Sequence, residues 1–324
     1  MAEDEKKAVL FDISHYMIED GPGIRTDVFF KGCPLRCKWC SNPFGLTKRV
    51  QLIYNKNKCV QCLTCVSACP RNANVVVDGV VEIERDICIS CGICCETCPN
   101  NARTVIGREY SIEEIFEKIQ KDRVFYRRTG GGVTLTGGEV LLQVDAASRL
   151  LRLCRQDMIS TAIETSGYGN WADLERLIDL SDLVFIDLKH MDDQTHKRLT
   201  GVSNQRILEN IQKAAGHCSS KGRADLIIRV PVIPGMNDDE TNLESSAKFL
   251  ASLTGIHEVN LLPYHRLGAN KYDMVGLEYA EADIEAPASG QMKKYQEIFL
   301  KRGVQCSVGG GEIGINTRKF QLGG

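Results

Sequence analysis

No apolar run in this chain approaches the ~18 residues that a membrane-spanning helix needs. Nor is there a basic opening ahead of an apolar stretch. The chain begins Met-Ala-Glu-Asp-Glu-Lys-Lys, acidic and mixed, which argues against a secretory signal. Charge of one sign is missing too. Lys and Arg number 40, Asp and Glu 42, and the formal net charge is -2. Composition therefore offers no argument for a nucleic acid or a membrane as partner. A cytoplasmic protein is expected. Its 324 residues, 43% of them hydrophobic, suffice for one large α/β domain plus a small inserted module.

Cysteine is what the chain has in excess. There are 15, of which only Cys154, Cys218 and Cys306 lie beyond Cys98. In a secreted protein such crowding would suggest a disulfide framework. In a reducing compartment it points to metal, and the odd total also suits disulfides poorly.

From about residue 105 onward, short apolar runs alternate with amphipathic stretches. Strands are expected at 132–136, 161–164, 183–187, 226–230 and 259–262, with another upstream at 27–30. Helices are expected at 112–122, 146–156, 171–180, 204–217 and 240–253. This alternation predicts an α/β fold with a parallel sheet, and six such units could form an open, TIM-like barrel. Chemistry then gathers at the C-terminal ends of the strands. Residues 54–104 break the pattern. They form two similar cysteine-dense halves, beginning at Cys59 and Cys88, and read as an insert that divides the main domain into 1–53 and 105–324. A short apolar segment, 304–308, precedes a Gly-rich tail expected to be loose.

Cys33, Cys37 and Cys40 have the spacing C-x3-C-x2-C, directly after an expected strand. Three thiolates in one loop can hold three irons of a cubane and leave the fourth open to substrate. A zinc knuckle lacking its fourth ligand, or plain core cysteines, is the alternative. Further on, Gly137, Gly138 and Glu139 follow a strand, where paired glycines permit close backbone approach and a glutamate can accept from an ammonium group. Glu164 and Thr165, Asp187 and Lys189, Arg229 and His265 end successive strands. One such polar residue is usually structural; several in succession suggest a binding site.

In the insert, Cys59, Cys62, Cys65 and Cys69-Pro70 form one run, and Cys88, Cys91, Cys94 and Cys98-Pro99 a second. Both match the bacterial ferredoxin pattern, in which the fourth cysteine of each run ligates the other cluster. The expected sets are Cys59, Cys62, Cys65 with Cys98, and Cys88, Cys91, Cys94 with Cys69. Zinc is the weaker reading. Cys95 is surplus, and Cys154, Cys218 and Cys306 read as small buried hydrophobes. Two complete thiolate sets leave no open iron, which suits electron relay or the shaping of a docking surface.

Asp20-Gly21-Pro22-Gly23-Ile24-Arg25-Thr26, the first cysteine loop with Ser41-Asn42-Pro43, Leu261-Leu262-Pro263-Tyr264-His265 and Gly276-Leu277-Glu278-Tyr279 together resemble one family. It is the glycyl-radical-enzyme activating enzymes, the radical S-adenosylmethionine (SAM) activases typified by pyruvate formate-lyase activase. The likeness runs over nearly the whole chain. It implies a partial (β/α)6 radical SAM barrel. It also implies reductive cleavage of SAM to a 5′-deoxyadenosyl radical, which takes a hydrogen atom from a glycine of a large partner enzyme. By resemblance, Gly137, Gly138 and Glu139 hold the methionine amino group, while Asp187, Lys189, Arg229 and His265 contact the ribose, carboxylate and adenosine portions. Glu164, Thr165 and Asp187 match a monovalent-cation site, with Glu164 standing where pyruvate formate-lyase activase has Asp. The implied cofactors are SAM and three [4Fe-4S] clusters, and the implied electron donor is a flavodoxin or ferredoxin. The insert makes the chain similar to activases of lyases, dehydratases and arylacetate decarboxylases, with the choline trimethylamine-lyase and glycerol dehydratase branch nearest. A radical SAM enzyme acting on a small molecule is the alternative reading, and a simple electron carrier is a third.

Overall fold

A computed structural model describes residues 7–222, 224–279 and 283–309. The Gly-rich tail lies outside the described residues. The strands are β1 (Lys7–Met17), β2 (Arg25–Phe30), β3 (Gln51–Tyr54), β4 (Asn74–Val77), β5 (Val80–Ile83), β6 (Arg103–Ile106) and β7 (Arg108–Ser111). They continue with β8 (Gly132–Gly137), β9 (Ser160–Thr165), β10 (Leu183–Asp187), β11 (Asp225–Val232), β12 (Ile256–Pro263) and β13 (Cys306–Val308). Nine of them form one sheet in the order β13-β12-β11-β10-β9-β8-β2-β1-β7. From β13 to β2 every pairing is parallel, while β1 runs antiparallel to both β2 and β7.

All six expected strands are present, and the apolar segment at 304–308 supplies β13. Strands β1 and β7 escaped the sequence reading. β1 mixes buried and half-exposed residues and lacks the apolar run that marks a strand covered on both faces. Helices Arg123–Thr129, Asp193–Thr200, Ala269–Val275 and Ser289–Lys301 were also missed, and the helix at Ile112 ends at Gln120 rather than at Asp122.

Side-chain alternation sorts the parallel strands into two faces. Outward go Val133, Leu135, Ile163, Val184, Ile186, Leu226, Ile228, Val259 and Leu261, which pack against the covering helices in the main core. Helix Val144–Gln156 offers Ala147, Leu150, Leu151 and Cys154 to it, and helix Gln205–Lys221 offers Ile207, Ile211, Ala214 and Cys218. Each fully buried Leu or Ile there contributes roughly 1.5–3 kcal/mol. Cys154, Cys218 and Cys306 are buried in this core. The inner face begins with a small apolar layer of Ala162, Leu183, Phe185 and Ile227. Two residues further along, the same rows place Glu164, Asp187 and Arg229. The β1–β2 loop reaches this inner face, where Asp20 meets Arg229 on β11. Three strands separate β2 from β11 in the sheet, so the sheet must curl to bring them together.

Strand β3 pairs antiparallel with β6, from Gln51↔Ile106 to Tyr54↔Arg103, and this ladder brackets the cysteine-dense segment. Inside it, Asp78 and Gly79 both have positive φ and close the β4–β5 hairpin. The sequence repeat is repeated in the backbone. Gln61, Leu63 and Asn72 have positive φ in the first half, and Ser90, Gly92 and Asn101 in the second. Leu52, Cys65, Val81 and Cys94 form the segment's small core.

Candidate metal centres and their cavity

Cys33, Cys37 and Cys40 occupy the loop after β2. Backbone bonds tie this loop to its neighbours: Arg36 N donates to Thr200 O at 2.7 Å, Lys38 N to Leu199 O at 3.0 Å, and Glu139 N to Gly32 O at 2.7 Å. The three cysteines line one side of a cavity of about 220 Å³. Its other walls come from strand ends: Thr136, Gly137 and Gly138, Glu164 to Ser166, Asp187 and Lys189, then Tyr264 and His265. Seven of the nine residues assigned to SAM or a cation therefore meet the three cysteines around one space.

The other two, Glu139 and Arg229, do not line it. Glu139 is 1% exposed and turned into the protein. Its carboxylate accepts from Thr165 Oγ1 at 2.6 Å, Ser166 N at 2.9 Å, Leu141 N at 3.1 Å and the Ser166 hydroxyl. Burial raises its pKa against the pull of these donors. Glu139 thus shapes the 165–166 turn of the cavity wall, and its acceptors are spent there. Arg229 is 3% exposed. Nη1 lies 2.6 Å from Glu164 Oε1 and 2.8 Å from Asp20 Oδ1, Nη2 reaches Glu19 O, and the guanidinium stacks 3.8 Å from the Phe185 ring. Burial alone would lower its pKa, but Glu164 and Asp20 raise it, so it stays charged.

The glycines also differ from expectation. At Gly138 a Cβ would stand 2.2 Å from Gly32 O and 2.5 Å from Gly45 O. Gly138 is required first by the cysteine loop packed against it, and it faces the cavity as well.

Lys189 Nζ sits 2.6 Å from Asp187 Oδ2. Burial works against its charge, yet Asp187 and the Cys37 sulfur raise its pKa. Burial pushes the Cys33 and Cys37 thiols up to about 12, while Lys189 pulls Cys37 down. A metal must therefore displace protons from these sulfurs, and Lys189 assists at Cys37. Three thiols facing polar strand ends across one cavity fit a cluster with one open corner. The cation site fits less well. Glu164 is bound by Arg229 and Thr136, Thr165 by Glu139, and Asp187 by Lys189.

In the insert, one small cavity is lined by Cys59, Cys62, Cys65 and Cys98, and another by Cys69, Cys88, Cys91 and Cys94. Each holds three cysteines from one run and the fourth from the other. Ala73 N lies 3.2 Å from Cys69 Sγ, and Ala102 N lies 3.3 Å from Cys98 Sγ, so both halves aim the same backbone donor at sulfur. Cys95 lines neither cavity and packs partly buried beside the segment's core.

Several cavity residues had no sequence signal. Trp39 and Ile233 form an apolar wall with Leu199 and Tyr264. Ser166 could have been suspected from its place after Glu164-Thr165.

The Radical SAM superfamily model matches residues 87–244, and a 4Fe-4S binding domain model matches residues 52–73. A (2S)-3-sulfopropanediol dehydratase activating enzyme from Klebsiella oxytoca is 40% identical over 93% of this chain and 96% of its own. A choline trimethylamine-lyase activating enzyme from Oleidesulfovibrio alaskensis is 41% identical over 94% and 98%. A solved domain of a pyruvate-formate lyase-activating enzyme from Bacteroides vulgatus is 31% identical, covering 55% of this chain and 99% of its own, with a TM-score of 0.46. Among the described residues no helix is long and apolar enough to cross a membrane. With relatives this similar along almost its entire length, the chain belongs to the radical SAM activating enzymes of glycyl radical enzymes.

Proposed function

We propose that this protein activates one partner glycyl radical enzyme, with a cluster at Cys33, Cys37 and Cys40 and two further clusters in the 54–104 insert. The observation that carries this reading is the single cavity shared by the three loop cysteines and the polar strand ends. When bound, cluster and SAM together supply one-electron cleavage of the sulfonium, which yields a deoxyadenosyl radical able to take hydrogen from a glycine. The protein's part is to bind, orient and shield. The Gly137–Gly138 backbone and Thr136 face the amino-acid end. Asp187 and Lys189 offer a carboxylate and an ammonium within 2.6 Å of each other for ribose and carboxylate groups. Tyr264, His265, Pro231 and Ile233 form a mixed wall for the adenosine. On another side, Glu139 holds the 165–166 turn from behind, and Arg229 pairs with Glu164. A monovalent cation beside Glu164, Thr165 and Asp187 stays part of this reading as the resemblance implies it, with Asp187 Oδ1 left by Lys189, which takes Oδ2.

The insert is a two-cluster ferredoxin-like module in this reading, and the two cysteine-lined cavities support its crossed sets. Its work is to relay electrons from a flavodoxin or ferredoxin. The partner is a dehydratase or lyase that cleaves C–O, C–N or C–S bonds. Relatives named for a dehydratase, a choline trimethylamine-lyase and an isethionate sulfite-lyase lie at 40, 41 and 43% identity, values too close to choose among them.

The test mixes anaerobically reconstituted, reduced protein with SAM and candidate partners. A glycine-centred doublet in electron paramagnetic resonance (EPR) is expected with one partner. SAM consumption with no doublet in any candidate would count against the reading.

A further inference from the structure

The two halves of the insert run in parallel after their last cysteines, Cys69-Pro70-Arg71-Asn72-Ala73-Asn74 in one and Cys98-Pro99-Asn100-Asn101-Ala102-Arg103 in the other. An arginine and an asparagine have exchanged places. Asn74 lines the cavity of Cys69, Cys88, Cys91 and Cys94, whereas Arg103 lines that of Cys59, Cys62, Cys65 and Cys98. Both residues are 3% exposed. Arg103 stacks 4.4 Å from the centroid of the Tyr54 ring, and its Nη1 donates to Asn74 Oδ1 at 2.8 Å. Its Nη2 is buried with no hydrogen-bond partner among the described residues. Asn74 brings no charge, so a guanidinium that cannot give up its proton sits buried at a cavity lined by four cysteines, with one nitrogen unused. A buried cation requires a negative partner. Thiolates joined to iron in that cavity supply one. The other cavity differs. Arg71 lines it but is exposed to water. Arg85 spends Nη1 on Leu52 O at 2.8 Å and Nη2 on Met274 O at 3.0 Å.

We propose that Arg103 raises the reduction potential of the centre at Cys59, Cys62, Cys65 and Cys98 above that of the centre at Cys69, Cys88, Cys91 and Cys94, so that the first electron taken up by the insert rests on the former. The inference rests on the two-cluster reading of the insert. The step moves one electron from a reduced flavodoxin or ferredoxin to the cluster, and no bond changes. Reduction adds one negative charge to the cluster. A cation beside it therefore stabilises the reduced form more than the oxidised one, and burial removes the screening that water would provide. The β3–β6 ladder shows which end this favours. At one end Gln51 Oε1 accepts from Lys31 Nζ at 3.0 Å, just before the first cysteine loop, and the adjoining Leu52 lines the cavity of Cys69 and Cys88. Arg103 pairs with Tyr54 at the other end. The favoured centre is the one farther from Cys33, Cys37 and Cys40, at the outer end of the relay.

Anaerobic redox titrations of the reconstituted full-length protein test this, with dithionite as reductant and EPR as readout. Two variants isolate the insert centres: Cys91→Ala retains the Cys59 set, and Cys62→Ala retains the Cys88 set. In each, the signal that ignores SAM belongs to the insert. The midpoint of the Cys59 set is expected to be the higher. Adding Arg103→Gln should lower it by about tenfold in reduction equilibrium, ~59 mV for one electron. Arg103→Lys, which keeps the charge, should restore most of that shift. The midpoint of the Cys88 set should move much less with Arg103→Gln. A Cys59-set midpoint at or below that of the Cys88 set overturns the inference, and so does one that Arg103→Gln leaves unchanged. The first comparison leaves Arg103 in place, so it decides even if the Arg103 variants fail to fold. If the wild-type insert holds fewer than two clusters, the two-cluster reading fails together with this inference. If both centres form and their midpoints coincide, this inference fails alone.

Discussion

Arg229 on β11 reaches past β10 to place Nη1 2.6 Å from Oε1 of Glu164 on β9. Both had been assigned to ligands by their position at strand ends. They pair with each other, with Asp20 from the β1–β2 loop completing the group, and Glu164 lines the cavity as well. A buried charge must be paired, and here the guanidinium finds its partners within the protein.

Arg229→Met should therefore cost about 3 kcal/mol of stability, since it leaves the half-buried carboxylates of Glu164 and Asp20 side by side without their cation. Adding Glu164→Leu should recover part of that cost. Denaturant unfolding of the four proteins in a double-mutant cycle measures the coupling. Strictly additive losses would show that the pair contributes no mutual stabilisation.

Asp27, on β2, has both carboxylate oxygens buried without a hydrogen-bond donor. Burial, then the neighbouring Asp20, raise its pKa to about 9, against ~3.9 in an unfolded chain. A raised acid contributes stability that is complete below pH ~4 and is lost as pH climbs toward 9. Asp27→Asn abolishes that dependence. The variant's advantage over wild type should widen from pH 5 to pH 9, by up to several kcal/mol, on the order of 1.4 per pH unit. Unfolding midpoints at pH 5, 7 and 9 test this. An offset that stays constant with pH would mean Asp27 does not take up a proton on folding.

Glu139→Gln keeps the shape of the side chain but not its charge, and puts an amide where one oxygen accepted from Thr165 or Ser166. About 1.5–3 kcal/mol should be lost, as for hydrogen bonds to a charged group. The displaced 165–166 turn should weaken SAM binding. Calorimetric titration with SAM against the anaerobic protein would show it, and unchanged affinity would mean that the turn holds its place without Glu139.

Cluster membership can be read from iron content. Cys33→Ala, Cys37→Ala or Cys40→Ala should each abolish SAM cleavage and leave roughly two thirds of the iron. Cys98→Ala and Cys59→Ala should each remove roughly one third, and the double variant no more than either alone, because both serve one cluster. Cys98→Ala with Cys88→Ala should remove about twice as much. If Cys98 instead behaves as a partner of Cys88, the crossed sets are wrong.

What could be read without coordinates was whatever depends on local spacing. Cys33, Cys37 and Cys40 lie within one loop, so their shared task shows in one stretch of sequence. The doubled runs from Cys59 and Cys88 carry their pairing pattern in the same way, and the apolar β8 to β12 announce a covered parallel sheet. The placement of Thr136, Asp187, Lys189 and His265 around one cavity follows from that architecture, because parallel strands in a curled sheet bring their C-terminal ends to one rim.

Two adjacent residues show where local reading stops. Gly138 and Glu139 follow the same strand, yet Gly138 faces the cavity while Glu139 turns away to hold Thr165 and Ser166. Nothing in the order of residues distinguishes these directions. They depend on Gly32 and Gly45, packed against Gly138 from a distant part of the chain. Arg229 is the same case on a larger scale. By itself the chain's order of residues determined the family, the expected thiol sets and the parallel strands of the sheet. Tertiary structure alone decided which charges face a ligand and which face one another, because the energy of a buried charge depends on neighbours that are brought near only when the sheet curls.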